Sequence, residues 1–438
     1  MVVFKDLISF GKKFGYDFTV RRDYVERNEP PMRTLGDCYI GFNDWRRQTM
    51  RQSIDEAFKA FPVPQSNQLM GTWTLDGAKR FIKRYEDWKE EEDQIDFTDL
   101  LEFAYQQGLS PDPEITFLDE AQDCSPLQWA LCDMWSQESK RFYVGFDDDQ
   151  ALYGWIGAVP DLALKHKSDK DTILGQSYRV PIAVHSVARK IISQNKNRMP
   201  KPYLPKPSPG ACSYYGGIHQ VPFKDLEGTI FVLGRNHYLL EPVAELLDYQ
   251  GLLFKYRGEK DIKTTAKGTA VFNLQALQQN KKVTAEALAT TVDLIHSRPY
   301  LAWGAQRAIR ALGSESPMSE ISLADLKDYF KPDLLKAIAA GDFLAPLKEM
   351  GDRERARLTS LLKNGSQDAR ITLSTIHGVK GMEADHVVLL SDMSGRTYHG
   401  MLADMEAERR VQYVAVTRAK ETLSVIAPTK GYYYRIPI

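Results

Sequence analysis

The stretch Ile115–Asp123 has the sequence ITFLDEAQD. A short apolar run that ends in acidic residues is typical of a buried parallel strand with polar chemistry at its carboxyl end. Phosphoryl transfer needs one acid to hold Mg²⁺ and a second group to orient water; Asp119 suits the metal and Glu120 the water. An acidic strand end is also compatible with a cap or a solvated turn, but the continuation Ala121-Gln122-Asp123 makes the pattern more specific.

The same pattern returns downstream, where RFYVGFDDD (Arg141–Asp149) is again an apolar run that ends in acidic residues. Helical patterns follow the two runs, SPLQWALCDMWSQ (Ser125–Gln137) after the first and PIAVHSVARKIISQ (Pro181–Gln194) after the second. Further strand-like runs are GTIFVLGRN, LLFKYRG, ARITLSTIHGVKG, ADHVVLLSDM and ETLSVIAP. Strands that alternate with helices predict an α/β fold, with helices on both faces of a parallel sheet.

Bulk properties bound the class of protein. The chain has 438 residues, 43% hydrophobic and 26% charged, which is ordinary for a globular protein of two to four domains. The net charge of −1 gives no global basic field, although nucleic-acid binding needs only a local basic stripe. The four cysteines form no CxxC pair and read as reduced thiols. Without a long apolar span or a signal-peptide layout, we expect a cytoplasmic protein of a bacterial or phage-infected cell.

The two acidic stretches together resemble a known family. DEAQD, followed by DDDQALYGWIGA at Asp147–Ala158, is similar to the second and third motifs of superfamily 1 DNA helicases of the UvrD/Rep/PcrA type. The resemblance implies that Gln150 senses the ATP γ-phosphate, and that Tyr153 and Trp155 bind DNA. A flat aromatic on a polar loop can hold any base with about 1–3 kcal/mol, so Trp155 suits single-stranded DNA. The alternative for Trp155 is a core aromatic.

Two arginine-bearing stretches also match the family in order. Gln176–Arg179 (QSYR) resembles the fourth motif, which implies that Tyr178 stacks on adenine and that Arg179 reaches the γ-phosphate. Gln412–Lys420 (QYVAVTRAK) resembles the sixth motif, which implies that Arg418 is the arginine finger. An arginine finger neutralises charge that builds on the phosphate in the transition state.

The stretch Thr375–Glu383 (TIHGVKGME) resembles the fifth motif. The resemblance implies that Thr375 and His377 lie near DNA, and that Gly381 and Glu383 face the nucleotide, with Glu383 toward the ribose. The implied cofactors are ATP and Mg²⁺, the metal being held by Asp119. The implied partner is single-stranded or partly duplex DNA.

The family's architecture implies two RecA-like parallel-sheet domains of the P-loop NTPase type, the first incomplete, each with a helical insertion. The predicted segments are a 1B-like helical insert at 1–94, the rest of domain 1A at 95–200, the first part of domain 2A at 201–274, a 2B-like helical insert at 275–365, and the second part of domain 2A at 366–438. The stretch 197–217, rich in Lys, Pro and Gly, reads as a connector, and 275–365 shows no strand signal.

The sequence departs from the family in one large respect: it contains no GxxxxGK[ST] phosphate-binding loop. We expect the C-terminal portion of a 3′→5′ DNA helicase or single-strand translocase that needs a separately encoded or missing P-loop segment. Its first sheet would then expose apolar surface and unpaired edges. The alternative is a helicase-like module that binds single-stranded DNA or a partner without hydrolysing ATP. Two smaller departures are Phe146 before the third motif and Ile156 after Trp155.

Overall fold

The computed structural model describes residues 1–2, 4–18, 34–61, 73–154, 157–259, 262–364 and 369–438. Internal contacts group the chain into two compact units. Unit 1 comprises Met1–Gly216, Leu233–Asn236 and Thr375–Ile438, and unit 2 comprises Gly217–Val232 and His237–Ser374. The five predicted segments are a finer division than these two units and stay predictions.

Five helices lie in the described part of residues 1–106: α1 (Phe4–Phe14), α2 (Leu35–Gln48), α3 (Ile54–Ala60), α4 (Leu75–Glu91) and α5 (Phe97–Gln106). The helices bury an aromatic core around Phe10, Phe42 and Phe81. α2 and α3 are separate helices, because Met50 has a left-handed backbone (φ 55°) and Ser53 is the N-cap of α3.

A buried ionic cluster fixes α5 to α2 and α4. The Arg47 guanidinium donates to Asp96 at 2.9 Å and to Glu102 at 2.9 Å, and it also contacts Asp99. The Lys89 ammonium donates to the Asp99 carboxylate at 2.8 Å. Asp96 and Asp99 also form the capping box of α5. Because α5 precedes the first strand directly in sequence, the cluster holds the start of the α/β region.

The α/β region of unit 1 begins with β1 (Ile115–Leu118), α6 (Pro126–Glu138), β2 (Arg141–Val144), α7 (Pro160–Lys165), β3 (Gln176–Pro181), α8 (Ile182–Ile192), β4 (Leu204–Lys206) and β5 (Ala211–Tyr215). β1 and β2 pair in parallel, and β3 and β4 form a second parallel pair. The connector predicted at 197–217 is therefore wrong in part, since β4 and β5 lie within it. Their Pro- and Lys-rich sequence hides the strand pattern.

One face of the β1–β2 pair packs on the helices, where Leu118 and Val144 contact Trp129 and its neighbours. The other face carries Ile115, Phe117 and Tyr143, and we call it the open face. Phe117 is 74% exposed and Tyr143 is 46% exposed, and their rings stack with centroids 5.0 Å apart. The predicted exposure of apolar surface on the first sheet is confirmed.

The remaining elements are β6 (Ile230–Gly234), α9 (Glu241–Tyr249), β7 (Phe254–Tyr256), α10 (Ala266–Gln278), β8 (Val283–Thr284), α11 (Ala285–Asp293), α12 (Ser297–Tyr300), α13 (Ala305–Glu315), β9 (Glu320–Ile321), α14 (Pro332–Ala340), α15 (Asp352–Asn364), β10 (Ile371–Thr375), β11 (Ala384–Leu390), α16 (Gly395–Ala403), α17 (Met405–Val416) and β12 (Ala419–Ile426). A six-stranded sheet has the order β5-β12-β11-β6-β10-β7, with parallel pairing at β5-β12, β12-β11 and β10-β7. The predicted α/β class with parallel sheets is confirmed.

Unit 2 contains a helical core built mainly from α10, α11, α13, α14 and α15. Within it β8 and β9 pair in an antiparallel ladder of two residues each, which corrects the expectation of no strand in 275–365. Two-residue strands are too short to produce an alternating pattern in the sequence. No helix in the described ranges is long and apolar enough to cross a membrane.

All four cysteines are free thiols, with Cys38 and Cys132 buried and Cys124 and Cys212 half-buried. Burial raises the pKa of Cys124 to about 12 and the pKa values of the other three to about 11. Because the thiolate is the reactive form, we expect these cysteines to react slowly at neutral pH.

Candidate nucleotide and DNA site

The end of β1 presents two exposed carboxylates. Glu120 has a left-handed backbone (φ 54°), and its amide donates to Asp119 Oδ1 at 2.9 Å. A non-glycine residue in this conformation is strained, and such strain concentrates at functional sites. A Cβ on Gly145, after β2, would lie 3.2 Å from Asp119 Oδ1, so that glycine gives the carboxylate its room. The carboxylates of Asp119 and Glu120 are therefore both accessible to solvent, which binding a metal ion or orienting a water molecule requires.

Lys380, from the fifth motif, joins the second and third motifs. Its ammonium contacts the Asp123 carboxylate, lies 3.4 Å from Glu120 Oε2 and donates to the Gln150 backbone carbonyl at 2.9 Å. Burial raises the pKa of Asp123, although the charge of Lys380 opposes this. The side chain of Lys380 is only 7% exposed. Lys380 lies within the fifth motif, but nothing in the sequence indicated that it contacts the second and third motifs.

Arg418 lies deep in unit 1 rather than projecting into solvent. It is 1% exposed, and its guanidinium donates to Gln150 Oε1 at 2.9 Å, to the Met382 carbonyl at 3.2 Å and to the Val414 carbonyl at 3.0 Å. Burial, followed by the nearby charge of Arg179, lowers the pKa of Arg418 to about 10. The side chain therefore stays a cation at neutral pH, without a carboxylate hydrogen bonded to it in the described residues.

Arg179 completes a pair of arginines with spare capacity for an anion. Its Nη1 lies 3.7 Å from Glu383 Oε2, and its buried Nε has no hydrogen-bond partner among the described residues. A buried unpaired donor costs free energy, and a phosphate oxygen would satisfy it. Tyr178 is 87% exposed, so its ring face is open to stacking, and Gly381 takes a left-handed turn (φ 75°) before Glu383. These residues fit a nucleoside triphosphate.

The residues predicted to contact DNA are partly brought together. The rings of Tyr153 and His377 lie 6.5 Å apart, and the Lys380 ammonium lies 5.3 Å from the Tyr153 ring centroid. Burial, followed by the charges of Asp123 and Glu120, raises the pKa of Tyr153 to about 12. Thr375 ends β10, and its hydroxyl accepts the Gly378 amide at 3.3 Å. Trp155 and Ile156 lie outside the described residues.

A cluster of three carboxylates, Asp147, Asp148 and Asp149, follows β2 with metal-like spacing. Protein cations already neutralise it: Lys201 lies 2.6 Å from Asp147, and Arg198 lies 2.6 Å from Asp149. The cluster is therefore a salt-bridge network and not a metal site. Sequence reasoning missed Lys201 and Arg198, which lie in the stretch that read as a connector.

Two family sequence models match the chain. The model described as the UvrD/REP helicase N-terminal domain matches residues 42–171, and the model of the UvrD-like helicase C-terminal domain matches residues 347–430. The first range contains the Asp119 and Gln150 motifs, and the second contains the Lys380 and Arg418 motifs. The parallel sheets and the two matched ranges identify a RecA-like α/β fold of the P-loop NTPase type. The chain belongs to the UvrD/Rep/PcrA-like superfamily 1 helicases.

Several curated relatives are similar over most of this chain. A putative ATP-dependent DNA helicase YjcD of Bacillus subtilis is 24% identical, over 88% of this chain and 64% of its own length. The ATP-dependent DNA helicase PcrA of Bacillus subtilis is 24% identical, over 74% and 55%. The ATP-dependent DNA helicase UvrD2 of Mycobacterium bovis is 25% identical, over 70% and 46%. The chain thus spans about half to two thirds of the length of these relatives.

Proposed function

We propose that this chain forms the C-terminal portion of an ATP-dependent DNA helicase or translocase that moves 3′→5′ along single-stranded DNA. One observation carries the proposal: Lys380, Gln150 and Arg418 connect four separate motifs around the exposed Asp119–Glu120 pair. The names of the relatives, all ATP-dependent DNA helicases, support the same activity. The direction of movement rests on the family resemblance.

In this proposal each residue has a defined task. Asp119 would hold Mg²⁺, whose chemistry is to neutralise charge on the phosphates, and Glu120 would orient the attacking water. Arg179 and Arg418 would bind the γ-phosphate oxygens, and Gln150 would sense them. Tyr178 would stack on the adenine, while Gly381 and Glu383 would line the ribose side.

Coupling between ATP and DNA would pass through Lys380. Its ammonium lies 3.4 Å from Glu120 Oε2 and 5.3 Å from the centroid of the Tyr153 ring. Tyr153, Thr375 and His377, with Trp155, would contact the bases and sugars of the strand. A displacement of the Tyr153 ring by a stacked base would therefore change the position of the charge beside Glu120. Stacking of this kind does not depend on sequence.

We propose in addition that a P-loop segment, encoded separately or missing from this sequence, completes the first sheet. The open face supports this, because parallel sheets are normally covered on both faces. Phe117 and Tyr143 would otherwise leave a stacked aromatic pair in water. The segment would contribute strands, an apolar helix and a GxxxxGK[ST] loop whose amides and lysine cradle the phosphates. The cytoplasmic location stays a prediction.

The second candidate is a module that binds single-stranded DNA or a partner without hydrolysis, which the missing GxxxxGK[ST] string favours. The two are separated by measuring DNA-stimulated ATPase activity of the chain mixed with a P-loop-bearing segment from a full-length family member. The helicase proposal expects activity that Arg418→Ala abolishes. Absence of hydrolysis with the segment bound, together with tight binding of single-stranded DNA, would favour the binding module.

A further inference from the structure

Lys201 lies outside every stretch that carries the family resemblance, yet it contacts the third motif directly. Its side chain is 17% exposed and follows α8 by nine residues. The ammonium lies 2.6 Å from Asp147 Oδ1 and 3.2 Å from Asp149 Oδ2, and it also contacts Asp148. The lysine therefore sits on the carboxylates that immediately precede Gln150.

Asp147, which contacts Lys201, also accepts a hydrogen bond from the side chain of Gln150. The Gln150 Nε2 donates to Asp147 Oδ2 at 2.7 Å, while Gln150 Oε1 accepts from the Arg418 guanidinium at 2.9 Å. An ionised carboxylate can only accept hydrogen bonds, and a guanidinium can only donate them. The amide of Gln150 therefore has one satisfactory orientation, with its nitrogen toward Asp147 and its oxygen toward Arg418.

We propose that Lys201 is a positioning residue that sets the orientation of the Gln150 amide and, through it, the position of Arg418. The relay runs from the Lys201 ammonium to Asp147, then to Gln150, then to Arg418, and every link joins residues of unit 1. Its importance for ATP turnover rests on the proposed function, but the relay itself is a property of the fold.

Loss of the ammonium has a definite consequence. Without Lys201 the half-buried Asp147 carboxylate loses the cation that contacts it and lies beside Asp148 and Asp149, and these like charges favour its protonated form. A protonated carboxyl donates a hydrogen bond, so the amide of Gln150 is free to turn its oxygen toward Asp147. The amide nitrogen would then face the Arg418 guanidinium, donor against donor, and Arg418 would lose its acceptor.

Arg198 supplies a matched control. It also places a cation on the cluster, donating to Asp149 at 2.8 Å and 2.6 Å, but no contact of its guanidinium with Asp147 is among the described hydrogen bonds and ion pairs. The loop keeps other anchors in either variant, because the Met199 amide donates to Asp148 at 2.7 Å and Arg410 donates to the Asp148 carbonyl at 3.0 Å. Arg198→Met and Lys201→Met thus remove similar charges with different consequences for Gln150.

The experiment is phenylglyoxal modification of arginines in the full chain, with the extent at Arg418 followed by peptide mass spectrometry. We expect Arg418 to react about tenfold faster in Lys201→Met than in the original chain, since a charge-assisted hydrogen bond is lost. Lys201→Arg should restore the slow rate, and Arg198→Met should leave it unchanged. Thermal unfolding of each variant confirms that the comparison is made on folded protein.

An unchanged Arg418 rate in folded Lys201→Met would overturn the proposal, as would an equal rise in Arg198→Met. If Lys201→Met does not fold, Asp147→Asn provides the same test, because an asparagine removes the orienting charge without burying an unpaired one. The readout needs no nucleotide. If the chain completed by a P-loop segment never hydrolyses ATP, the proposed function is contradicted and the relay still stands. If Lys201→Met completed in the same way is active and its Arg418 stays protected, the relay is contradicted and the proposed function still stands.

Discussion

Two parallel strand pairs in unit 1 have similar apolar sequences and different surroundings. In β11 and β12, Val387, Val388 and Leu423 are completely buried. In β1 and β2, residues alternate between partly buried and exposed, and Phe117 is 74% exposed. A parallel strand pair is stable when both faces are covered. Asp119 and Glu120, which follow β1, therefore extend from a strand pair that is packed on one face only.

The largest effect is expected on ATP hydrolysis. Variants at the buried Arg418 and the exposed Glu120 should both lose activity but should differ in stability. Arg418→Ala should lower ATPase activity of the chain completed by a P-loop segment by about 10³-fold, the scale of an arginine finger. The Glu120→Gln variant, in which an exposed carboxylate is replaced, should also lose ATPase activity. Only Arg418→Ala should lower the melting temperature, because Arg418 is buried with several hydrogen bonds. Equal melting temperatures for the two variants would contradict this assignment.

Truncation of one side chain in each strand pair compares how much the two pairs contribute to the stability of the fold. Leu423→Ala in β12 should lower the free energy of unfolding by about 3 kcal/mol, because it opens a cavity in a packed core. Phe117→Ala on the open face should change it by less than about 0.5 kcal/mol. Denaturant unfolding of both variants measures this. A comparable loss in Phe117→Ala would mean that the open face is packed in the isolated chain.

The open face can be tested as the docking surface for the P-loop segment. Phe117→Asp should weaken binding of that segment by about 2 kcal/mol, the scale of a central aromatic at an interface. Tyr249→Asp is the matched control, because Tyr249 is 91% exposed and lies on α9 in unit 2. Isothermal titration of the segment against both variants gives the two affinities. If the Tyr249 variant loses as much, the effect is not specific to the open face.

The smallest effect is a pH dependence at the cluster after β2. Burial raises the pKa of Asp147, but the charge of Lys201 and the hydrogen bonds from Lys201 and Gln150 outweigh this effect, so the pKa lies below the ordinary value of an aspartate. A lowered carboxyl pKa stabilises the fold above the unfolded value, and the gain disappears as pH falls through the folded pKa. From about pH 5 downward, stability should fall more steeply in the original chain than in Asp147→Asn. Parallel curves would exclude an ionised, paired Asp147.

Much of the fold could be predicted because strands such as β1, β2 and β11 contain short apolar runs that alternate with helical patterns. β4 and β5 could not, because their prolines and lysines imitate a connector. Among the predicted site residues, Asp119, Gln150 and Arg418 could be singled out because each lies in a compact motif. Lys201 was not, because its partner Asp147 is 54 positions away and only the folded chain brings them together.

The protonated, shielded thiols of the four natural cysteines have a practical consequence for spectroscopy. A single Phe117→Cys substitution on the open face would place one accessible thiol among four slow ones. Maleimide chemistry at neutral pH should then attach a dye at that position without removal of any natural cysteine, and mass spectrometry would verify a single label. The emission of the dye would show, in real time, whether the open face is exposed to solvent or covered by another segment.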